Sequence, residues 1–386
     1  MHTKVVRSKY KQPSLCFFNT QTGCMQKEIW NDLENGLWHS FDVDAFLNND
    51  TLSNVEMSSS RPIFPNLLAI PSGFRWDAKT SRIVETLYMP HYVNADYDSF
   101  LKVAEAFFRR YEGKKIGVHL SGGLDSSLII CLLHHFHIPF VPIGLYAHRF
   151  EFRTERHIQE ILLDYGSDSK LISMDDYPFY SHLSEAPKSQ IPNGNIKMCD
   201  AQKALADEFK ALGVEVVFSG QGGDTILTES VPEPNRWHGF NLGYEFSVSE
   251  ESEQIYSPRG IELVPFFADK NVIDQLQSLR VGQKEDALKL WARAFFKKLI
   301  PYELSEFSYT ADFFGYSVSG LEEAKNEIKS LLAEAYETIR HPVFSPDGIN
   351  KLLNADFSSM NYTQYCFTCS RLSIAVWLHS LFREYD

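Results

Sequence analysis

The stretch Ser121-Gly122-Gly123-Leu124-Asp125-Ser126-Ser127 decides the fold of this chain. It stands between an apolar run, Ile116 to Leu120, and a run from Ser126 to His135 that is typical of a helix. A strand, a glycine turn and a helix N-terminus make an anion site, because backbone amides can approach phosphate oxygens there. Asp125 suits Mg²⁺, which accepts carboxylate and phosphate oxygens together. The alternative is a glycine-rich turn whose Asp caps the helix.

A second loop repeats this design. Ser219-Gly220-Gln221-Gly222-Gly223-Asp224 follows the apolar run from Val214 to Phe218. Two carboxylates from neighbouring strand ends could hold Mg²⁺ against a pyrophosphate leaving group. An ordinary tight loop with a capping Asp is the other interpretation. Neither loop has the Gly-x-x-x-x-Gly-Lys-Ser/Thr pattern that serves γ-phosphate transfer.

Helical and apolar runs alternate around these loops. The predicted helices are Ser99–Tyr111, Ser126–His135, Thr154–Tyr165 and Ala201–Leu212, and the predicted strands are Lys115–Leu120, Phe140–Leu145, Leu171–Met174 and Val214–Phe218. Strands alternating with helices indicate an α/β fold with a doubly wound, mostly parallel sheet. Ligands of such sheets bind beyond the carboxyl ends of the strands, where both loops lie.

The two ends of the chain have different patterns. Residues 1–97 are short apolar runs interrupted by turn residues, which predicts a small β-rich domain. Beyond residue 240 the pattern is helical, and the predicted helices are Asn271–Leu279, Lys284–Lys298, Leu321–Ile339 and Thr363–Phe382. We therefore expect two domains, 1–97 and 98–386, the second with a helical C-terminal part.

The composition of the 386 residues is that of a globular enzyme, with 44% hydrophobic and 23% charged residues. A net charge of −13 argues against a nucleic-acid partner. No apolar run reaches the roughly 18 residues that span a membrane, and the N-terminus lacks a secretory signal, so we expect a cytoplasmic protein without a membrane partner. Cys366 and Cys369 are close in sequence, but the second pair that a zinc site needs is missing, so free thiols are expected.

Together, the two loops resemble those of the asparagine synthetase family of N-type ATP pyrophosphatases, which includes β-lactam synthetases and lasso-peptide cyclases. Those enzymes cleave ATP between the α and β phosphates. The likeness extends from about residue 66 to residue 301, and it includes the segments Asn66–Pro90, Ile143-Gly144-Leu145, Gly260–Phe267 and Leu288–Phe295 with Ile300-Pro301. In the family, the segment that corresponds to Ile143-Gly144-Leu145 contacts adenine. The segment that corresponds to Gly260–Phe267 has Gly and Glu before Pro-Phe. The segment that corresponds to Leu288–Phe295 is a Lys-x-x-x-Arg-x-Ala helix with a Leu-Pro end.

The resemblance implies ATP and Mg²⁺ as cofactors. The residues that would bind the nucleotide are Ser121, Gly122, Gly123, Asp125, Ser126, Ser127, Leu145, Gly220 and Asp224, of which Asp125 and Asp224 would hold Mg²⁺. A carboxylate of a small molecule or peptide would attack the α-phosphate to form an acyl-adenylate. An amine would then displace AMP. Free ammonia and a partner amidase of the same pathway are the other nitrogen sources that this interpretation leaves open.

Three features depart from the family. Glutamine-dependent members expose a Cys after Met removal, but the second residue here is His2, and the N-terminal segment is too short for a glutaminase. Residues 1–97 are therefore expected to be a truncated, non-catalytic relative of that domain. The second loop has Gln221 where asparagine synthetases have Glu and β-lactam synthetases have Tyr, and an amide cannot act as a base. Tyr309 stands where the family places a Lys, eight residues after Pro301.

The candidate residues for acyl transfer are therefore Glu262, Tyr309, Gln221 and Lys289. In β-lactam synthetases the residue that corresponds to Glu262 partners the catalytic Tyr. Glu262 could act as the base here, or it could pair with Arg259 or Arg293 as a structural acid.

The missing Lys has several candidate replacements. Lys297, Lys298 or Tyr309 could supply its charge or hydrogen bond, and the sequence does not select one of them. Lys289 and Arg293 lie four residues apart on one predicted helix face, where they could reach the phosphates or form an exposed salt-bridged surface.

Two other functions compete with an AMP-forming C–N ligase of specialised metabolism or peptide modification. Enzymes that transfer sulfur or nitrogen to tRNA or a deazapurine use the same kind of loop, but often with a catalytic Cys pair, a zinc site or a basic surface. A non-catalytic nucleotide-binding partner would explain Gln221 and Tyr309. Retention of both Asp125 and Asp224 argues against that partner, because binding alone does not require two metal-holding carboxylates.

Overall fold

The computed structural model describes residues 91–148, 153–189, 192, 194–228, 252–286, 288–306, 314–354 and 357–382. Before residue 91 it describes residues 16–19, 22, 24–26, 37, 43–44, 64, 67–70, 74–77 and 82–85. In these parts of the chain, no helix is both long enough and apolar enough to cross a membrane.

Short antiparallel strands are the regular structure that is described before residue 91. They are β1 (Cys16–Asn19), β2 (Cys24–Gln26), β3 (Leu67–Ile70), β4 (Phe74–Asp77) and β5 (Arg82–Glu85). The first three form a sheet in the order β2-β1-β3, and β4 pairs with β5. The β-rich character predicted for residues 1–97 is present in these strands. The domain boundary at residue 97 stays a prediction.

A five-stranded parallel sheet follows. Its strands are β6 (Ile116–His119), β7 (Val141–Tyr146), β8 (Lys170–Ser173), β9 (Val216–Ser219) and β10 (Glu262–Pro265), in the order β10-β9-β6-β7-β8. Every pairing in it is parallel, so the carboxyl ends of all strands lie at one edge, which we name the carboxyl edge. The predicted α/β fold with a parallel sheet is confirmed. Strand β10 was not predicted, because four residues that end in a proline resemble a loop.

Helix α1 (Tyr97–Arg109) precedes β6. The connections between the strands contain α2 (Leu124–His135), α3 (Arg153–Leu163), α4 (Cys199–Ala211) and α5 (Gly223–Thr228). The connections through α2 and α3 run from β6 towards β8, and α4 returns to β9. Because parallel crossovers are right-handed, α4 covers the face opposite to α2 and α3. The direction of winding reverses between β6 and β9, which is where ligands of such sheets bind.

The C-terminal part is helical, as predicted. It contains α6 (Lys270–Leu279), α7 (Leu290–Phe296), α8 (Tyr302–Glu306), α9 (Phe314–Glu323), α10 (Lys325–Ile339), α11 (Pro346–Leu353) and α12 (Tyr362–Phe382). Two predicted helices are wrong in extent. The one predicted over Lys284–Lys298 begins only at Leu290, because Lys289 has a left-handed φ of 54°. The one predicted over Leu321–Ile339 is interrupted at Ala324.

Four phenylalanine rings join α1 to the sheet. Phe107 and Phe108 of α1 pack against Phe218 of β9 and Phe266 after β10, with ring centroids 5.1–5.5 Å apart. All four are at most 4% exposed. Each such aromatic pair adds about 0.5–1.5 kcal/mol beyond the burial of its area. This aromatic cluster fixes α1 against β9 and β10.

Replacing Phe266 should test this packing. Phe266→Ala is expected to lower the free energy of unfolding by about 3–5 kcal/mol, because it removes a buried ring and leaves a cavity. Phe382→Ala is the control, since that ring is 47% exposed, and it should change stability by less than about 0.5 kcal/mol. Urea unfolding followed by circular dichroism measures both. Equal effects of the two substitutions would contradict the anchoring role of the cluster.

Candidate functional site

Serine hydroxyls hold the first loop, residues 121–127, in shape. The Ser126 hydroxyl accepts a hydrogen bond from the Ser121 amide at 3.2 Å and lies 2.7 Å from the Ser121 hydroxyl. The Ser121 hydroxyl also accepts from the Gly123 amide at 3.2 Å. Ser121 is exposed and Ser126 is buried. Of these two hydroxyls, it is therefore Ser121 that a ligand in the loop would meet.

Gly122 makes the turn of this loop possible. Its φ of +82° lies in the left-handed region, and a Cβ there would stand 2.3 Å from the Glu155 carbonyl oxygen. Both constraints exclude a side chain. Helix α2 begins at Leu124, so the unpaired amides of its first turn adjoin the loop, where they favour an anion.

The second loop packs directly against the first. A Cβ on Gly223 would lie 2.4 Å from Cγ of Asp125, and a Cβ on Gly220 would lie 2.9 Å from the Ser126 backbone nitrogen. The glycines of the second loop are therefore what allows the two loops to touch. The Gln221 side-chain oxygen accepts a hydrogen bond from a serine hydroxyl of the same loop at 3.2 Å.

A lysine joins the carboxylates of the two loops. Nζ of Lys289 lies 2.8 and 2.6 Å from the two carboxylate oxygens of Asp125, and 2.6 Å from Oδ1 of Asp224. The side chains of Lys289 and Asp125 are 12% and 16% exposed, whereas that of Asp224 is 77% exposed. The arrangement is a largely buried Asp–Lys pair with a second carboxylate on its solvent side.

The backbone that presents Lys289 is tied to the second loop. The Lys289 amide donates to the Asp286 carbonyl oxygen at 2.9 Å, and the Asp286 amide donates to the carbonyl oxygen of Thr228, the last residue of α5, at 2.8 Å. The prediction that Lys289 and Arg293 lie on one helix face is wrong, because Lys289 precedes the first turn of α7. It reaches the site from a turn.

Two opposing effects act on the Lys289 ammonium. Burial lowers its pKa, but the attraction of Asp125 and Asp224 together is larger, so the pKa of Lys289 is raised. Lys289 is therefore charged throughout the physiological pH range. Its positive charge is available to the two carboxylates and to any phosphate beside them.

Arg293 holds the backbone beside this turn through hydrogen bonds to carbonyl oxygens. It is 7% exposed, and burial lowers its pKa while the negative charge of Asp125 opposes that change. The guanidinium donates to the Leu288 carbonyl oxygen at 3.1 Å and to the Leu304 carbonyl oxygen. Arg293 thus fixes the backbone on both sides of the site, which is none of the roles that the sequence suggested for it.

The two carboxylates fit Mg²⁺ by the chemistry of the donor set. Nucleotide sites bind Mg²⁺ through one or two carboxylates, with phosphate oxygens and water completing the shell. The carboxylates of Asp125 and Asp224 both lie 2.6 Å from the same atom, Nζ of Lys289, so a single cation can contact both. The described parts of the chain contain no group of three or more His, Cys, Asp or Glu side chains placed for a metal. Phosphate oxygens and water would have to supply the remaining ligands.

The strand end predicted to contact adenine lies beside the first loop. Nε2 of Gln159 donates to the Leu145 carbonyl oxygen at 2.7 Å and to the Leu120 carbonyl oxygen at 2.8 Å. A Cβ on Gly144 would lie 2.1 Å from that Leu120 oxygen. The structure therefore brings Leu145, which is half-buried, next to the loop that precedes α2.

Ser127 does not line the site. It is fully buried, and its hydroxyl has no hydrogen-bond partner among the described residues. A ligand in the loop cannot reach an enclosed hydroxyl. The prediction that the Ser127 hydroxyl binds the nucleotide is therefore wrong.

Glu262 lies at the opposite edge of the sheet. It begins β10 and pairs in register with Val216, the first residue of β9, whereas the second loop follows the last residue of β9. Three strand residues separate the two positions, about 10 Å. The Glu262 carboxylate lies 3.0 Å from Nζ of Lys114, and not beside Arg259 or Arg293. The prediction that Glu262 acts as the base is therefore wrong. Glu262 is a structural acid at the edge where the strands begin, which we name the amino edge.

Of the other candidates for acyl transfer, Tyr309 lies outside the described residues and its role stays a prediction. Lys297 and Lys298 are exposed at the end of α7.

Cys366 and Cys369 are free thiols on α12, as expected. Sγ of Cys369 lies 3.2 Å from the Tyr180 hydroxyl. The pair is part of the packing of the C-terminal helices.

A histidine beneath the first loop was not anticipated from the sequence. His119 ends β6, and its ring stacks on Phe209 with centroids 5.9 Å apart. Its Nε2 lies 2.7 Å from the hydroxyl of Tyr256, 137 residues away in the chain. Burial lowers the pKa of His119 to about 4, so the ring is neutral at physiological pH. One His in an apolar strand forms no motif, and no local pattern could have shown its partner.

Comparison with known proteins gives one family match. Residues 104–237, which contain both loops, match the family model described as asparagine synthase. None of the curated proteins compared with the chain matches it.

Two of the solved structures that are distantly similar to this chain are synthetases. An NMN synthetase from Francisella tularensis has 11% identity and a TM-score of 0.32, over 67% of this chain and 91% of that one. An NH3-dependent NAD synthetase from Campylobacter jejuni subsp. jejuni NCTC 11168, in complex with the nitrate ion, has 13% identity and a TM-score of 0.33, over 69% and 98% of the two chains.

Acidification from pH 6.5 towards pH 4 should destabilise the protein through His119. The unfolded chain binds a proton near the ordinary pKa of 6.5, whereas the folded His119 stays neutral down to about 4. Unfolding therefore takes up a proton in this window, and the stability contributed by neutral His119 is lost as the pH falls. His119→Asn should flatten the pH dependence of the urea-unfolding free energy between these values. His135→Asn, at an exposed position, serves as the control, and an unchanged slope in His119→Asn would contradict the assignment.

Proposed function

Because residues 104–237 match the family model described as asparagine synthase, we propose that this chain activates a substrate carboxylate with ATP, releases pyrophosphate, and transfers the acyl group to an amine with release of AMP. The family match supports the coarser part of this proposal, an ATP-using synthetase. One observation carries the finer part. Asp125, Asp224 and Lys289 meet at the carboxyl edge, between the two loops.

The charges at this point suit a pyrophosphate leaving group. Two carboxylates and one ammonium give a formal charge of −2 + 1 = −1. Mg²⁺, when bound, supplies two positive charges that stabilise the negative charge on phosphate oxygens. Lys289, which its raised pKa keeps protonated, would donate to phosphate oxygens as the leaving group departs.

The chemistry divides into two half-reactions. A carboxylate oxygen attacks the α-phosphorus, the bond to the pyrophosphate oxygen breaks, and an acyl-adenylate forms. The amine nitrogen then attacks the acyl carbon, AMP leaves with its oxygen, and the nitrogen loses a proton to give an amide, peptide or lactam bond. Amides of the loop 121–127 would hold the phosphates and Leu145 the adenine, in keeping with their positions.

A second candidate function is a non-catalytic nucleotide-binding partner, and one observation favours it. The Lys289 ammonium already bridges both carboxylates, so the loops can stay together without a metal. Such a protein would bind ATP and release neither AMP nor pyrophosphate.

Product analysis tests the proposed function. The protein is incubated with ATP, Mg²⁺, candidate carboxylic acids and amines, and AMP and pyrophosphate are the expected products. Asp125→Asn and Asp224→Asn should each lower their formation by at least about 10²-fold, because each removes one carboxylate that holds the metal. Asp207→Asn is the matched control, since Asp207 is ion-paired with Arg259 away from the loops. Formation of ADP would overturn the proposal, and binding of ATP without turnover would favour the second candidate.

Lys289→Met should separate the two roles of the ammonium. Loss of the donor to the phosphates is expected to lower kcat by about 10²-fold. Mg²⁺ would no longer compete with an ammonium for Asp125 and Asp224, so the Mg²⁺ concentration for half-maximal rate should fall. A Mg²⁺ titration at saturating ATP measures both quantities. Lys270→Met removes another Asp-paired lysine and should alter neither, and a rise in the Mg²⁺ requirement of Lys289→Met would contradict this account.

A further inference from the structure

The short helix that carries Asp224 is held at its carbonyl end by side chains from elsewhere. Helix α5 has six residues, too few for a helix to be stable without tertiary contacts. Its terminal carbonyls accept three side-chain hydrogen bonds: Gln277 Nε2 to Ile226 O at 3.2 Å, Arg280 Nη1 to Ile226 O at 2.7 Å, and Trp291 Nε1 to Leu227 O at 2.8 Å. These donors come from α6, its C-terminal end and α7.

Arg280 is the charged member of this group. It is fully buried, and its guanidinium carbon lies 5.1 Å from the centroid of the Trp291 ring. A buried guanidinium is costly unless its charge is compensated. The carbonyl end of a helix is its negative end, and the face of an indole attracts a cation. Arg280 therefore stands where α5 and Trp291 both favour a positive charge.

The same group also reaches the backbone of Lys289. Trp291 follows Lys289 by two residues, and its amide donates to the Asp286 carboxylate at 3.0 Å. The Asp286 amide donates to the carbonyl oxygen of Thr228 at the end of α5. The contact between the Arg280 guanidinium and the Trp291 ring thus links the helix that carries Asp224 to the turn that carries Lys289.

We propose that Arg280 is a positioning residue of the site, which holds α5 and the turn before α7 so that Asp224 and Lys289 face Asp125. It acts through the Ile226 carbonyl oxygen and the Trp291 ring. The inference rests on the proposed function insofar as Asp224 is taken to act on Mg²⁺ and ATP.

The test compares Arg280→Met and Arg280→Lys in the full chain. Arg280→Met keeps an unbranched apolar side chain but removes the donor and the charge, and amide hydrogen exchange in residues 223–228 should speed by at least 10-fold. The Mg²⁺ concentration for half-maximal ATP binding should rise by about 10- to 100-fold, the usual effect of losing a residue that supports a metal ligand. Arg280→Lys keeps the charge without the planar guanidinium and should be intermediate on both measures.

Arg371→Met is the matched control. Arg371 is also buried and donates to a backbone carbonyl, that of Val343, among the C-terminal helices. It should lose stability without a change in exchange at residues 223–228 or in the Mg²⁺ requirement. Unchanged exchange there in Arg280→Met, or the same local change in Arg371→Met, would overturn the proposal. If Arg280→Met does not fold, Arg280→Lys carries the same comparison.

The two proposals can fail separately. Wild-type protein that forms no AMP from ATP would count against the proposed function alone, because hydrogen exchange at α5 reports on Arg280 without turnover. Wild-type turnover together with unchanged exchange in Arg280→Met would count against the positioning role alone.

Discussion

The contact of Lys289 with two carboxylates is the constraint on which the site depends. Asp125 and Asp224 follow neighbouring strands, and two carboxylates that contact the same cation repel each other when that cation is absent. The ammonium lies 2.6 Å from both and is the cation that allows the two loops to meet. The sheet supplies the other half of the constraint, since the parallel pairing of β6 with β9 places both loops at one edge.

Local signals were sufficient to locate the two loops, because what makes each loop is steric and therefore local. Gly122 has a left-handed φ, and Gly223 leaves no room for a Cβ beside Asp125. Lys289 was different. It is 164 residues from Asp125, and the Lys and Arg four residues apart predict a helix that the left-handed backbone of Lys289 interrupts. A pairing between distant residues leaves no periodic pattern in a single sequence.

Glu262 illustrates a different limit of sequence patterns. A residue of a sequence motif can be present and still lie far from the carboxyl edge, where the two loops are. Its position along a parallel strand decides which edge of the sheet its side chain reaches. The register that pairs Glu262 with Val216 puts it at the amino edge, and Pro265 stands at the carboxyl edge instead. Register is set by the packing of neighbouring strands, so spacing from Gly260 to Pro265 could not reveal it. No sequence motif marks Arg280 for a related reason, since the group that it binds is a backbone carbonyl of another helix.

The acyl-transfer half-reaction of the proposed function needs a group that takes a proton from the amine, and two candidates for that base do not fit. Gln221 is an amide and Glu262 lies at the amino edge, so neither of these two candidates can take a proton from the attacking amine, and Tyr309 lies outside the described residues. An acyl-adenylate is reactive enough for a neutral amine to attack it, with the proton leaving after the C–N bond forms. An α-amino group, with an ordinary pKa of about 7.7–8.0, has a far larger neutral fraction at pH 7 than a lysine side chain at about 10.4. In the proposed acyl transfer, the rate would therefore depend on the fraction of the amine that is neutral in solution.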